Sequence, residues 1–460
     1  MPRTHDIIVI GGGSAGYAAA RIAQAEKADV AIIDHGPLGG LCILRGCMPT
    51  KAMLRSSDIA VLIRRATEFG LQTSEVTVNL PAIISRKNRL IQEFTDDRIH
   101  SLTSDRFTLY EDHAHFLSPT DIQVGPIHLT AQAFIIATGS VVTRLPIPGL
   151  EETGYLTSDD ALELTTIPES MIVLGGGPVA LEFAQFFSRI GVQVTLIQRS
   201  AHILSDTDDD LAMPVDARLR EEGMQVFTNT TIQHVTASGK FKTVHFLHKG
   251  QAQQATATTI LQALGRRPNI DGLQLAAAHI ETKQGRIIVD DSMRTSQPHI
   301  FAVGDVNGLH EIVHIAIEQG EIAGWNAVHR KNPPKHFDQR LKAQVVFTDP
   351  QVASVGFSEK ECRQHGVPYL VASYPFNDHG KSLCLGETHG HVKVLCDPRT
   401  GIILGGHIVG PEASELIHEL ITIMYFKGTV RDLQRIPHYH PTLAEILTYP
   451  AEELSAQLPD

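Results

Sequence analysis

The 460-residue chain reads as an α/β protein with two Rossmann-like nucleotide-binding domains followed by an α+β domain, and three observations carry that reading. An apolar run, a glycine-rich turn and a helical pattern follow one another twice. The first copy is residues 7–10, Gly11-Gly12-Gly13-Ser14-Ala15-Gly16 and the helix continuing Tyr17-Ala18-Ala19. The second is residues 171–174, Gly175-Gly176-Gly177-Pro178-Val179-Ala180 and a helix from Leu181. A third apolar strand, residues 134–137, ends in Thr138-Gly139-Ser140 and runs into the Pro-Gly-rich residues 145–149, a composition suited to a domain crossing. Gly265-Arg266-Arg267-Pro268-Asn269 marks the next crossing, and from about Val345 strands alternate with long helices in a third, α+β pattern.

Composition fits that class. Hydrophobic residues are 42% and charged residues 20% of the chain, enough apolar side chain for several cores, and 37 glycines without a period exclude a collagen-like chain. Lysine and arginine total 39 against 51 aspartate and glutamate, a net charge of −12 with no basic block, so nucleic acid and anionic membranes are not expected partners. Small molecules are. Five cysteines, an odd number in a long chain, do not form the framework of a small secreted domain. The apolar start lacks a cationic leader, and no stretch approaches the roughly 18 apolar residues of a membrane span. A cytoplasmic location is expected, where thiols stay reduced unless redox chemistry uses them.

The spacing Gly11-x-Gly13-x-x-Gly16 has a mechanical reason. The first glycine permits the tight turn, the second lets the backbone approach a pyrophosphate and the third lets helix and strand pack, while the helix start at Ser14 and Ala15 offers N–H groups to the anion. The strand at residues 29–33 then delivers Asp34, about 20 residues on, where a carboxylate can bind a ribose 2′-hydroxyl. In the second copy, with Gly175, Gly177, Val179 and Ala180, that acid is missing. The strand at residues 193–197 ends in Gln198-Arg199, so an anion-repelling group is replaced by an anion-binding one, which favours a 2′-phosphate and therefore NADPH over NADH. His202 nearby either assists Arg199 or is solvated.

The segment Gly39-Gly40-Leu41-Cys42-Ile43-Leu44-Arg45-Gly46-Cys47-Met48-Pro49-Thr50-Lys51 places two cysteines, four residues apart, just after a dinucleotide fold and at the opening of a helical stretch. This suits a reversible disulfide better than zinc, because no second Cys or His pair completes a tetrahedral site, and a helix start stabilises the second thiol as thiolate. Near the other end, His438-Tyr439-His440-Pro441-Thr442-Leu443-Ala444-Glu445 supplies a histidine able to move a thiol proton and a carboxylate able to fix its tautomer.

Together these segments resemble the flavin-dependent pyridine nucleotide–disulfide oxidoreductases, the family of dihydrolipoamide dehydrogenase, glutathione reductase and mercuric reductase. The resemblance spans nearly the whole chain and includes Ala137-Thr138-Gly139, Gly265-Arg266-x-Pro268-Asn269, Ile300-Phe301-Ala302-Val303-Gly304-Asp305 and the run from Phe347 to Gly356, which is similar to the start of the family's interface domain. It implies that the first fingerprint, with Asp34, Gly40, Lys51, Thr138, Gly139, Gly304 and Asp305, holds FAD. It implies that the second, with Gln198, Arg199 and Gly265, holds NAD(P)H. Cys42 is then the interchange thiol that meets the substrate and Cys47 the thiol facing the flavin. Lys51 and Glu182 form the pair near flavin and nicotinamide. His440 is the base and Glu445 its orienting partner, with His438 structural. In this family the histidine serves the disulfide of the opposite subunit, so the resemblance implies a homodimer. The implied domains are FAD-binding at 1–148 and 269–340, NAD(P)-binding at 149–268 and dimerisation at 341–460. Electrons would pass reversibly between NAD(P)H, flavin, the Cys42-Cys47 pair and a dithiol or disulfide substrate.

Other patterns carry less. The acidic run Asp206-Thr207-Asp208-Asp209-Asp210 imitates a calcium loop, but Leu211 and Ala217 occupy the glycine and bidentate-acid positions, so it reads as a solvated face. Gly380-Lys381-Ser382 imitates the end of a phosphate loop, yet Pro375 stands where the leading glycine belongs. His310 and His314 have ligand spacing but adjoin the flavin motif, and no metal is expected. Cys362, Cys384 and Cys396 show no paired spacing and read as ordinary thiols.

For the substrate, the His-Pro-Thr-Leu-Ala-Glu tail is most similar to dihydrolipoamide dehydrogenase, Gln198-Arg199 to the NADPH-using members, and the run from Phe347 to mercuric reductase. Mercury reduction is disfavoured, since no cysteine follows Cys396. Leu41, Leu44 and Arg45 depart from the family's common Thr, Asn and Val around the disulfide. A lipoamide-like dithiol is the first expectation, with an NADPH-dependent glutathione-type or mercuric reductase-like enzyme, or one acting on small protein disulfides, as alternatives. A redox-responsive, nucleotide-binding flavoprotein with little turnover is the rival of another class.

Overall fold

The computed structural model describes residues 3–459. Two compact units emerge, one comprising Met1–Met53, Pro81–Arg144 and Gly265–Phe337, the other Leu54–Leu80, Leu145–Leu264 and Asp338–Asp460.

In the first unit the strands Thr108–Tyr110, Val30–Ile33, Arg3–Ile10, Ile127–Ile136 and Ile300–Ala302 lie side by side and parallel, with Asp121–Val124 and Ala114–Ser118 added antiparallel beyond Ile127–Ile136. Parallel strands covered on both faces read as continuous apolar runs, and the alternation of side chains decides which core each residue joins. Ile7, Val9, Val30, Ile32 and Phe301 point to one core, while Ile8, Ile10, Ala31, Ile33 and Phe134 point to the other. The helices Ser14–Ala25 and Val313–Val328 pack over the first core. They approach so closely that a Cβ on Gly320 would lie 2.2 Å from the Ala15 carbonyl oxygen.

The second unit holds a parallel sheet ordered Gln225–Phe227, Gln193–Ile197, Ser170–Leu174 and Thr259–Gln262, and a three-stranded antiparallel sheet of Thr230–Ser238, Phe241–His248 and Gln251–Ala257. It also holds a five-stranded antiparallel sheet ordered Ala343–Val346, Gln351–Gly356, Ile403–Gly410, His391–Cys396 and Leu370–Pro375, with the helices Ala413–Tyr425 and Thr448–Gln457 covering its core. Both fingerprint helices start earlier than the apolar pattern alone indicates. The first begins at Ser14 and the second at Pro178, where a first-turn proline gives up an N–H that has no helical partner.

The acidic run is not the solvated face that its composition indicates. Asp208 is buried at the start of the helix Asp209–Glu221 and accepts from Lys393 Nζ at 2.9 Å and from the amides of Glu359 and Lys360. Asp210 accepts from the same ammonium at 2.8 Å. Lys393 is 1% exposed, so this part of the run neutralises a buried cation instead of facing water.

Among the described residues no helix is long and apolar enough to cross a membrane, and no three His, Cys, Asp or Glu side chains gather where a metal ion could be held.

Candidate active site

The two fingerprints are built alike where sterics demand it. Gly11 has φ +105°, and a Cβ on Gly16 would lie 1.8 Å from the Gly11 carbonyl oxygen, so strand and helix can meet only through glycine. A Cβ on Gly177 would meet nothing within 4 Å, which leaves an open face against the helix Pro178–Arg189. Neither helix has a side-chain cap at its N-terminus, so the first N–H groups are offered outward, an arrangement that fits an anionic diphosphate. Asp34 is fixed by the amides of Gly12 at 2.7 Å and Gly36 at 2.8 Å, one to each carboxylate oxygen. In the second copy Gln198 is buried, its carbonyl accepting from Thr230 Oγ1, and Arg199 is exposed. His202 is held by Asp209 Oδ1 at 3.0 Å and by the Ile203 carbonyl at 2.6 Å.

Asp305 lies where the strand Ile300–Ala302 ends, and Ser140 Oγ donates to its Oδ2 at 2.7 Å while Arg266 Nε donates to Ser140 Oγ at 2.8 Å. Thr138 Oγ1 donates to the Asn269 carbonyl, and the Asn269 amide to the Gly139 carbonyl, which ties the motifs after residues 137 and 265 into one corner of the first unit. A residue that sequence reasoning passed over supports this corner. Gln319, fully buried on the helix Val313–Val328, accepts from the amide of Gly304 at 2.8 Å and from Asn307 Nδ2 at 2.9 Å.

The cysteine segment is attached to this frame through Gly40, whose backbone packs on Gly13 so tightly that a Cβ there would lie 2.6 Å from the Gly13 Cα. One short helical turn, Leu41–Leu44, carries Cys42, and Cys47 opens the helix Cys47–Arg64. The two thiols are hydrogen-bonded to each other. That contact, together with burial, pushes the Cys42 thiol up, and Lys51 opposes the shift. The helix start at Cys47 favours the negative form of that sulfur, so of the two it is the one poised to hold a thiolate. The other three cysteines differ. Cys362 and Cys396 are buried, with the Cys396 thiol pushed up to about 11 by burial, and Cys384 is exposed on its own.

In the second unit His440 is 77% exposed and its Nδ1 lies 2.9 and 3.1 Å from the two oxygens of Glu445. A carboxylate only accepts, so Nδ1 carries the proton and Nε2 presents a lone pair. The bond from His440 holds the Glu445 carboxyl below its ordinary range. His438 is occupied by Glu419 at 2.7 Å and the Ile436 carbonyl at 2.8 Å, with a side chain 6% exposed, which is a structural placement. Glu182 is 3% exposed and accepts from the amide of Phe347, joining the helix Pro178–Arg189 to the run that opens the C-terminal sheet.

Comparison with known proteins finds relatives along nearly the whole chain. The family model described as pyridine nucleotide-disulphide oxidoreductase matches residues 5–320, and that of the family's dimerisation domain matches residues 342–451. A mercuric reductase from Bacillus cereus is 33% identical over 443 residues, covering 96% of this chain and 70% of that protein. A dihydrolipoyl dehydrogenase from Bacillus subtilis (strain 168) is 31% identical over 464 residues, covering 97% of each. Among solved structures, LpdA from Mycobacterium tuberculosis superposes with a TM-score of 0.88 at 28% identity over 98% of this chain and 99% of that one. The HOCl-induced flavoprotein disulfide reductase RclA from Escherichia coli, at 24% identity and a TM-score of 0.85 over 97% and 99%, shares the fold. The chain belongs to the pyridine nucleotide-disulphide oxidoreductase family, whose members are NAD(P)H-dependent flavoprotein disulfide oxidoreductases.

Proposed function

We propose that the chain works as a homodimer that passes electrons between NADPH and a dithiol or disulfide substrate through FAD and the Cys42-Cys47 pair. The observation that carries this reading is the pair of mutually hydrogen-bonded thiols, one at a helix start, fastened through Gly40 to the first dinucleotide fingerprint. FAD, when bound, supplies the two-electron exchange between a nicotinamide and a thiol pair. The residues proposed to hold it are Gly11, Gly13, Ser14, Ala15, Gly16, Asp34, Gly40, Lys51, Thr138, Gly139, Gly304 and Asp305, in the domain assigned to residues 1–148 and 269–340. Gly175, Gly177, Val179, Ala180, Gln198, Arg199 and Gly265 are proposed for the nicotinamide nucleotide, in the domain at 149–268.

Cys42 exchanges with the substrate sulfur and Cys47 closes the disulfide behind it. His440, with Nδ1 held by Glu445, takes and returns the thiol proton at Nε2 from the domain at 341–460. Lys51 supports the thiol pair electrostatically, and Glu182 is assigned to the nicotinamide side. NADPH preference rests on Arg199, which is exposed at the strand end where the first site carries Asp34, while both nitrogens of His202 are engaged elsewhere.

A lipoamide-like dithiol is the first substrate to test, and the dihydrolipoyl dehydrogenases among the relatives support that order. The experiment is a steady-state panel of dihydrolipoamide, glutathione disulfide and mercuric ion, each with both nicotinamide nucleotides. Turnover of a thiol or disulfide substrate with NADP(H) preferred supports the proposal. Turnover of none of them, in protein that retains its flavin, contradicts it.

A further inference from the structure

Arg98 stands on the helix Leu80–Leu102, and nothing in the chemistry above uses it. Its guanidinium carbon lies 4.3 Å from the ring centroid of Tyr17, whose other neighbour is Phe107, edge-on at 6.3 Å. Tyr17 is one turn beyond Gly13, and Gly13 is the residue on which Gly40 packs, two positions before Cys42. Leu102, one turn beyond Arg98, reaches the neighbouring Gly12, with its Cδ1 3.4 Å from where a Cβ on that glycine would stand. The start of the first fingerprint helix therefore packs against both the cysteine turn and the end of the Leu80–Leu102 helix, and Arg98 lies over its Tyr17 within electrostatic reach of Cys42.

Within this corner Nη1 of Arg98 is buried and makes no hydrogen bond. Burial works against the charge of the guanidinium, and Tyr17, Asp97 and Cys42 favour it from a distance without hydrogen-bonding to it. A buried cationic N–H without an acceptor is costly in a folded protein. Here it is retained against an aromatic ring, within electrostatic reach of the Cys42 thiol. A guanidinium in that setting is built for a planar or tetrahedral oxyanion, because it offers parallel N–H donors and keeps its charge when half buried.

We propose that Arg98, stacked on Tyr17, is the specificity residue of the thiol site and receives the carboxylate or phosphate of an anionic disulfide substrate. This rests on the reading of Cys42 as the interchange thiol and narrows the substrate class of that same site. Cys42, its proton taken by His440 Nε2, attacks one sulfur of R–S–S–R, forming the mixed disulfide Cys42–S–S–R and releasing RS⁻, which takes that proton back from His440. Cys47 then attacks the Cys42 sulfur, closing the Cys42-Cys47 disulfide and releasing the second thiolate. The substrate gains the two electrons that the enzyme dithiol loses, and NADPH restores them. Arg98 holds the anionic arm of R while the sulfur is presented to Cys42.

The test compares reagents that differ in charge and little else, on the full-length, FAD-loaded protein. In the reduced enzyme, alkylation of Cys42 is followed by peptide mapping with iodoacetate, an anion, and iodoacetamide, its neutral analogue. Arg98→Gln is expected to lower the iodoacetate to iodoacetamide rate ratio about tenfold while the iodoacetamide rate holds within about twofold, and Arg98→Lys to keep most of the ratio. Raising salt should lower the ratio in the wild type, a measurement that needs no variant to fold. In turnover, lipoate and lipoamide share one dithiolane and differ in a carboxylate against a carboxamide, and KM for lipoate alone should rise in Arg98→Gln. Equal slowing of both alkylators, an unchanged ratio, or loss of FAD with the ratio intact would overturn the assignment. A ratio that falls as expected in a protein that turns over neither disulfide leaves the anion site standing and removes the disulfide-reductase reading.

Discussion

His440 Nδ1 sits 2.9 Å from Glu445 Oε1, five residues away in the sequence, and this one bond decides which imidazole nitrogen does chemistry. With Nδ1 committed to the carboxylate, proton transfer to and from thiols falls to Nε2 of an exposed ring. Replacing His440 by Ala is expected to lower substrate turnover by roughly 100- to 10,000-fold. Glu445→Ala should cost less, since the ring remains and only its orientation is lost. Reduction of the cysteine pair by NADPH should proceed at the wild-type rate in both variants, which rapid-mixing absorbance measurements would show.

Gly177 offers a different separation. A Cβ there meets nothing within 4 Å, so Gly177→Ala should fold with an unchanged melting temperature. The added methyl occupies the open face of the second fingerprint, so the dissociation constant for NADPH should rise at least tenfold, about 1.4 kcal/mol, by fluorescence titration. Gly16→Ala is the contrast, because the same methyl would lie 1.8 Å from a carbonyl oxygen, and that variant should fail to retain FAD.

Arg199→Glu restores the kind of charge that Asp34 carries in the first fingerprint. The ratio of kcat/KM for NADPH to that for NADH should fall by roughly 10- to 100-fold, each charge contact with a phosphate being worth about 1.5–3 kcal/mol. The same variant should leave the alkylation ratio at Cys42 unchanged.

The buried Lys393 makes stability depend on pH in a defined direction. Burial alone would raise the carboxyls of Asp208 and Asp210, but the Lys393 ammonium, with His391 acting on Asp210, outweighs it and holds both below their ordinary range. Depressed carboxyls stabilise the fold above the unfolded-state value of about 3.9, and that contribution fades as pH falls through their folded values. In Lys393→Met the amides of Glu359 and Lys360 still serve Asp208 and His391 still serves Asp210, so the depression shrinks and the variant gains less stability as pH rises through the unfolded-state value. Breaking a buried pair from one side costs about 3–5 kcal/mol. The difference in melting temperature between wild type and variant should therefore widen as pH rises from about 2.5 to about 6.

Much of this was legible in the sequence wherever a residue type is forced by local geometry. Gly11 and Gly16 are required by backbone crowding within a few residues, and Cys42, Cys47, His440 and Glu445 stand in short motifs whose chemistry is local. What escaped depends on distance along the chain. Asp208 and Lys393 are 185 residues apart, so nothing in the acidic run announces its partner. Gln319 and Arg98 sit on helices, where a single polar residue reads as solvent-facing until the fold shows what the helix packs against. The starts of the fingerprint helices were shifted for a third reason: first-turn residues such as Ser14 and Pro178 are chosen by backbone hydrogen bonding and not by the apolar period.

The central claim is that Cys42 and Cys47 exchange electrons with NADPH as a dithiol and disulfide. The most direct measurement is a thiol count on the FAD-loaded protein, quenched into denaturant with a thiol reagent before and after one equivalent of NADPH without oxygen. The account predicts that two more of the five cysteines react after reduction, and that peptide mapping finds them at positions 42 and 47. NADPH consumed with the count unchanged, or the new thiols found at other positions, would contradict it.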